Sequence, residues 1–111
     1  MINVLITRSS GLGTIVGFEV KGHAGYAKRG EDIVCAGVST VTFGTVNSIE
    51  FLTGISIDTS VKNGFLSGTI SSIEDTEKSA KVQLLLESMV VMLNDIAESY
   101  GKYIKIQQDI I

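Results

Sequence analysis

The chain has 111 residues, 44% of them hydrophobic, which is enough for one domain spanning residues 1–111 with a core that needs no metal or disulfide. Nine basic and twelve acidic side chains give a net charge of −3, which argues against direct binding of nucleic acid. A single cysteine excludes an internal disulfide and fits a reducing cytoplasm.

The first two predicted elements are strands that form a hairpin. From Ile2 to Thr7 the side chains alternate between two faces, as they do in a strand. One face carries Ile2, Val4 and Ile6, and the other carries Asn3, Leu5 and Thr7. Residues 9–13 form a glycine-containing turn. From Ile15 to Lys21 the chain predicts a second strand, with Val16, Phe18 and Val20 on one face.

The next element is predicted to be a helix, although its composition also suits a strand. Apolar and threonine side chains recur every three or four residues, which indicates one helical stripe. This stripe comprises Val34, Val38, Val41, Thr45, Ile49 and Leu52. Asp32 is placed as the N-cap and Gly54 as the C-terminal stop, so the helix is predicted over Ile33 to Leu52.

A second hairpin follows, because Asn63-Gly64 lies between two extended runs, 55–61 and 65–70. A long apolar helix is then predicted over Glu77 to Tyr100, capped by Asp75 or Thr76 and ended by Gly101. The alternation at 103–108 predicts a last strand. The order ββαββαβ indicates the α+β class: a mixed or antiparallel sheet covered by two helices.

The only histidine, His23, and the only cysteine, Cys35, flank a glycine-rich loop that connects a strand to a helix. Cys35 falls at the third helical position, where free backbone N–H groups and the helix dipole favour a thiolate and can hold an oxyanion. His23, at the far end of the loop, can fold back as its base. A thiol next to an imidazole is the minimum for nucleophilic attack on a carbonyl.

The loop itself is predicted to be mobile, because five of the nine residues at 22–30 are glycine or alanine and none is proline. Gly22, Gly25 and Gly30 are its hinge positions. We expect the loop to close on substrate, so that His23 and Cys35 can stand apart when no substrate is bound.

The segments GHAGYA at residues 22–27 and GxDIVCAGVS at residues 30–39 are similar to the signature of the ribosomal-processing cysteine protease family, Prp. The similarity extends over the whole chain. It implies a bacterial cysteine endopeptidase that removes the N-terminal extension of large-subunit ribosomal protein twenty-seven during ribosome maturation. It also implies cleavage after an aromatic residue, with Cys35 as nucleophile and His23 as base.

Two further residues, Asp32 and Ser39, are supporting residues by the same resemblance. Asp32 can orient His23 or only cap the helix, and Ser39 can bond substrate, His23 or its own helix. The alternatives to a protease are a ribosome-associated binding protein with a structural Cys35, or a redox-sensing thiol protein. Composition does not separate these three.

The remaining expectations concern location, cofactors and assembly. The N-terminal residues lack a signal-peptide pattern and no apolar run reaches membrane-spanning length, so we expect a cytoplasmic protein without membrane contact. One histidine and one cysteine do not complete a zinc shell, and no cofactor is expected. The last helix carries more apolar surface than one sheet face covers, which predicts a homodimer, as does the family resemblance.

Overall fold

The computed structural model describes residues 1–111 as a five-stranded sheet with two helices in the order ββαββαβ. The elements are β1 Ile2–Arg8, β2 Ile15–Lys21, α1 Ile33–Thr53, β3 Asp58–Lys62, β4 Phe65–Thr69, α2 Thr76–Ser99 and β5 Ile104–Ile110. The predicted class, element order and both hairpins are confirmed. Neither helix combines the length and the apolar character that crossing a bilayer requires.

The sheet is mixed, with the strand order β3-β4-β2-β1-β5. Strands β1 and β5 run parallel, whereas the other three pairs are antiparallel. Ile2, Val4 and Ile6 of β1, which lies between β2 and β5, are buried while the residues between them are more accessible. The helices therefore cover one face of the sheet, and the core lies between that face and the helices.

Strand β2 departs from the predicted alternation because it contains a bulge. Thr7 pairs with Gly17 and Arg8 pairs with Ile15, so Val16 has no partner of its own. Because the bulge adds one residue to β2, the side chains that precede it along the chain point to the opposite face of the sheet from the one predicted. Ile15 is consequently buried and Val16 is only half-buried, which corrects the prediction that Val16 faces the core together with Phe18.

Helix α1 buries a stripe that differs in part from the predicted one. Val34, Val38, Thr45 and Ile49 are buried as expected, but Thr42 and Thr53 take the places assigned to Val41 and Leu52. The hydroxyl of Thr42 donates to the Val38 carbonyl at 2.8 Å, and that of Thr53 donates to the Ile49 carbonyl at 2.6 Å. Each buried hydroxyl is thus satisfied by its own helix, which removes the main cost of burying it.

The β3–β4 hairpin turns at Asn63-Gly64, as the sequence predicts, but β3 is shorter than expected. It begins at Asp58 instead of Ile55, and all five of its residues are exposed at the edge of the sheet. Gly64 has a φ of 68° while Asn63 has a negative φ. The turn therefore differs from the type I′ turn, which needs positive values at both positions.

Helix α2 begins after Asp75, whose carboxylate accepts from the Lys78 backbone N–H at 3.0 Å, and ends at the C-cap Tyr100, one residue before the predicted stop. Its buried side chains are Val82, Leu86, Met89, Val90 and Leu93. Apolar residues also lie on the opposite side, where Leu84 is 70% exposed and Val91 is 59% exposed. The expected excess of apolar surface on this helix is present.

Side chains of α2 hold the bulged end of the first hairpin. Gln83 accepts from the Ile15 backbone N–H at 2.8 Å and donates to the Ile15 carbonyl at 2.9 Å. Arg8 forms a bidentate pair with Glu87 at 2.6 and 2.7 Å. The hydrogen bond from the Arg8 guanidinium, more than its charge alone, lowers the pKa of Glu87.

The pairing of Phe18 with Gly68 across β2 and β4 yields a stability prediction. A Cβ at Gly68 would lie 2.5 Å from two ring atoms of Phe18, and that ring is buried. Gly68→Ala should therefore lower the free energy of unfolding by about 1–3 kcal/mol, measured by urea denaturation at fixed protein concentration.

The matched control is Gly44→Ala, because Gly44 lies inside α1 with nothing within 4 Å of the added Cβ. It should raise the free energy of unfolding by about 0.5–1 kcal/mol, since alanine loses less backbone entropy in a helix. If Gly68→Ala were as stable as the parent protein, the Phe18 ring would not require the space that the missing side chain of Gly68 leaves free.

Candidate active site

The start of α1 places Cys35 in the first helical turn, as the sequence predicts. The helix begins at Ile33 after the N-cap Asp32, which has the extended backbone of a cap. Cys35 is half-buried and is a free thiol. Its Sγ accepts a hydrogen bond at 3.3 Å from the backbone N–H of Ala24, the buried residue next to His23. The thiol is therefore held in contact with the far end of the loop.

Asp32 uses both carboxylate oxygens on backbone N–H groups. Oδ1 accepts from Val34 and Cys35, each at 3.0 Å, while Oδ2 accepts from Tyr26 at 3.0 Å and Ala27 at 3.4 Å. The first oxygen caps the helix and the second fastens the middle of the loop to it. No hydrogen bond connects Asp32 to His23, so the geometry favours the capping role over the orienting role.

These backbone donors also lower the pKa of the Asp32 carboxyl. The N–H of Cys35 contributes most to lowering the pKa of the Asp32 carboxyl, and those of Ala27, Tyr26 and Val34 add to it, against the opposing effect of desolvation. A carboxyl whose pKa is lowered by folding stabilises the folded state above its unfolded pKa. That contribution is lost as the pH falls through the lowered value, in the acid range below about 4.

The three predicted hinge glycines all adopt left-handed backbone conformations, with φ of 96° at Gly22, 71° at Gly25 and 88° at Gly30. At Gly22 a Cβ would also lie 2.5 Å from the Met1 carbonyl oxygen. At Gly25 and Gly30 nothing lies within 4 Å. Gly22 must therefore be glycine both because of its positive φ and because of close packing, whereas at Gly25 and Gly30 only the positive φ requires glycine.

Tyr26 anchors the loop at its middle. Its ring meets those of Tyr100 and Tyr103 edge to face, with centroids 5.7 and 5.2 Å apart. Such edge-to-face contacts are favourable between aromatic rings. Tyr26 therefore contacts the C-terminal end of α2 and the start of β5 instead of lying over the cleft. The partners Tyr100 and Tyr103 were not identified from the sequence, because they join the loop only through the fold.

His23 lies across the cleft from Cys35, and no hydrogen bond joins the two side chains. Its imidazole is exposed and lies against the β3–β4 turn, close to Gly64. His23 and Cys35 nevertheless line the same two cavities, and an unliganded structure without a hydrogen bond between them does not exclude a dyad.

Two cavities meet at this pair. The larger is an open cleft of about 490 Å³ between the loop and the start of α1. The smaller, about 220 Å³, has a wall of polar and apolar residues, and Val20, Val38 and Phe43 are among the apolar ones. Four residues line both cavities: His23, Cys35, Ser39 and Asn63. An extended peptide lying across both would pass directly over the thiol.

Ser39 lies one turn beyond Cys35 on α1 with its hydroxyl unbonded, whereas Thr40 and Thr42 donate theirs to helix carbonyls. The geometry thus leaves the Ser39 hydroxyl free to face a ligand. Asn63 was used in the sequence only as a turn signal, and its place in both cavities was missed. No cluster of three or more potential metal ligands occurs in the chain.

The comparisons with known sequences agree in assignment. The family model described as cysteine protease Prp matches residues 1–105. The ribosomal processing cysteine protease Prp of Bacillus subtilis is 38% identical over 113 residues, covering 100% of both chains. The protein of the same name from Staphylococcus aureus is 37% identical over 106 residues, covering 96% of this chain and 97% of its own.

Solved structures give the same result at the level of the fold. The Prp protease of S. aureus in complex with a covalently linked product peptide superposes with a TM-score of 0.88 at 34% identity, covering 98% of this chain and 100% of that chain. The S. aureus enzyme in complex with a substrate peptide gives a TM-score of 0.83 at the same identity and coverage.

Proposed function

The chain belongs to the cysteine protease Prp family and is a cysteine endopeptidase, and we propose that it removes the N-terminal extension of large-subunit ribosomal protein twenty-seven. The observation that carries the proposal is Cys35 at the start of α1, with its thiol in an open cleft faced by the only imidazole of the chain. The ribosomal processing named for the relatives supports the substrate class. Such an enzyme would work in the cytoplasm as a single domain.

The proposed mechanism uses His23 and Cys35 as a dyad. The imidazole takes the thiol proton, or stabilises a thiolate already formed, and Sγ attacks the carbonyl carbon of the scissile bond. Backbone N–H groups near Cys35 hold the oxyanion. The imidazolium then gives its proton to the amine as the C–N bond breaks, which leaves a thioester. Water, deprotonated by His23, hydrolyses the thioester and restores the thiol.

The two cavities suggest how the peptide binds. The smaller cavity adjoins the thiol and has Val20, Val38 and Phe43 in its wall, so it would receive the aromatic side chain before the scissile bond, a preference taken from the family resemblance. The larger cleft would hold the rest of the segment, beside Ser39 and the loop. Closure of the loop about Gly25 and Gly30 would cover the peptide and exclude water, while His23 stays on the β3–β4 turn.

Mass spectrometry of the ribosomal precursor tests this function. The parent protein should shorten the precursor at one site, and Cys35→Ala should abolish the cleavage because no other thiol exists in the chain. Cys35→Ser should be nearly inactive, since a hydroxyl is a far weaker nucleophile at its free pKa. His23→Ala should slow turnover by about 10²–10⁴-fold, the range for loss of a general base.

Two results would decide against this reading. Sustained cleavage by purified Cys35→Ala would exclude the cysteine mechanism at this site. An intact precursor that nevertheless binds both the parent protein and Cys35→Ala would favour the ribosome-associated binding protein. The control variant is Thr40→Ala, which removes an exposed hydroxyl bonded within the helix at 2.8 Å and should cleave as the parent protein does.

We further propose that the protein is a homodimer joined through the exposed apolar side of α2. Leu84 and Val91 are seven residues apart, two turns of the helix, so they lie on one face. Met92 extends that patch and is 39% exposed. A symmetric dimer would bury the same patch on both protomers, as two-fold assemblies do.

Sedimentation equilibrium at micromolar concentration should give the mass of two chains. The double variant Leu84→Asp/Val91→Asp should give the mass of one chain, because two added charges would have to be desolvated in each copy of the patch. The control is Val61→Asp, because Val61 is 56% exposed on the edge strand β3, away from α2. A parent protein that sediments as one chain would reject the dimer, and a dimer that persists in the double variant would place the interface elsewhere.

A further inference from the structure

The β3–β4 turn contacts the catalytic loop at the residue that carries the imidazole. The Gly22 backbone N–H donates to the Gly64 carbonyl at 2.8 Å, so the residue before His23 is fixed to the turn. Strand pairing continues this contact, since Lys21 lies opposite Phe65. Backbone hydrogen bonds therefore set the position of the His23 backbone relative to the turn.

The His23 side chain lies on the same residue of the turn. A Cβ added at Gly64 would fall 2.7 Å from Nε2 of His23, 3.2 Å from Cε1 and 3.4 Å from Cδ2. Three ring atoms on the Nε2 side of the imidazole thus occupy the space that any other side chain at this position would fill. The absence of a side chain at Gly64 is what allows the ring to lie there.

No polar group orients the His23 ring through a hydrogen bond. Both oxygens of Asp32 are engaged by backbone N–H groups, and no hydrogen bond to the His23 ring is present. In many dyads and triads a third group orients the base through a hydrogen bond. Here packing against the turn is the contact available to set the ring's orientation.

We propose that Gly64 is a positioning residue for the catalytic base, and that the β3–β4 turn is the seat on which the His23 imidazole is held across the cleft from Cys35. Gly64 acts through His23 and touches no reacting atom. The adjacent Asn63 lines both cavities, which places the same turn beside the bound peptide. The inference rests on the proposed role of His23 as the base.

Gly64 also has a φ of 68°, so the effect of a collision must be separated from the effect of backbone strain. Gly13→Ala is the matched control: Gly13 lies in the β1–β2 turn with a φ of 71° and nothing within 4 Å of an added Cβ. Gly64→Asn is a second test variant, because asparagine tolerates positive φ but still carries the Cβ that meets the ring.

Steady-state kinetics on a precursor-derived peptide measure the catalytic effect. Gly64→Ala and Gly64→Asn should both lower kcat by about 100-fold, the cost of misplacing a catalytic group by about 1 Å. Gly13→Ala should keep the parent kcat. When His23 is already alanine, Gly64→Ala should have no further effect on the residual rate, because Gly64 acts through the imidazole.

A second readout does not depend on activity. His23 is the only histidine, so its ring Cε1–H gives one assignable proton resonance. That resonance should move in Gly64→Ala and Gly64→Asn and stay in place in Gly13→Ala. An unmoved resonance, or a Gly64→Asn enzyme with the parent kcat, overturns the inference. If the parent protein does not cleave the peptide, the proposed function fails while the resonance still decides whether Gly64 seats the ring.

Discussion

Four hydrogen bonds to one carboxylate determine the shape of this site. Asp32 accepts from Val34 and Cys35 with one oxygen and from Tyr26 and Ala27 with the other. The same ion therefore begins the helix that carries the thiol and holds the loop that starts from the imidazole. These donors also lower the pKa of Asp32, so the carboxylate stays ionised, with both attachments, further into the acid range than an ordinary aspartate.

The site and the contacts that dock α2 onto the sheet lie at opposite ends of the first hairpin. At one end of the first hairpin, Asn3 pairs with Lys21, and the chain then enters the loop beside the Asn63-Gly64 turn and the three tyrosines. At the other end, the bulge is held by Gln83 and the Arg8–Glu87 pair. The contacts that dock α2 onto the bulged end therefore lie away from the loop, which meets the end of α2 only through Tyr26 and its tyrosine partners. A stable frame with a fastened but glycine-rich loop is a reasonable basis for closure on a peptide.

The features that depend on residues close together in the chain could be predicted from the sequence. Element order, the Asp32 cap, the Gly54 stop and the Asn63-Gly64 turn follow from short-range rules, and the structure agrees with them. The sequence was insufficient where a distant partner decides. Val16 is only half-buried because of a bulge set by pairing with β1, and the contact of Gly64 with His23 joins segments about 40 residues apart. Thr42 was overlooked because its hydroxyl bonds to its own helix, which lets a polar residue occupy the core.

Amide hydrogen exchange in Asp32→Asn tests the central claim that one carboxylate joins loop and helix. Asparagine has a single acceptor oxygen, which can cap α1 but then presents an NH₂ group to the donors of the loop. Exchange at Tyr26 and Ala27 should therefore accelerate markedly while Val34 and Cys35 stay protected, and Asp75→Asn, which alters only the cap of α2, should leave the loop unchanged. Equal protection of Tyr26 and Ala27 in Asp32→Asn and the parent protein would contradict the account.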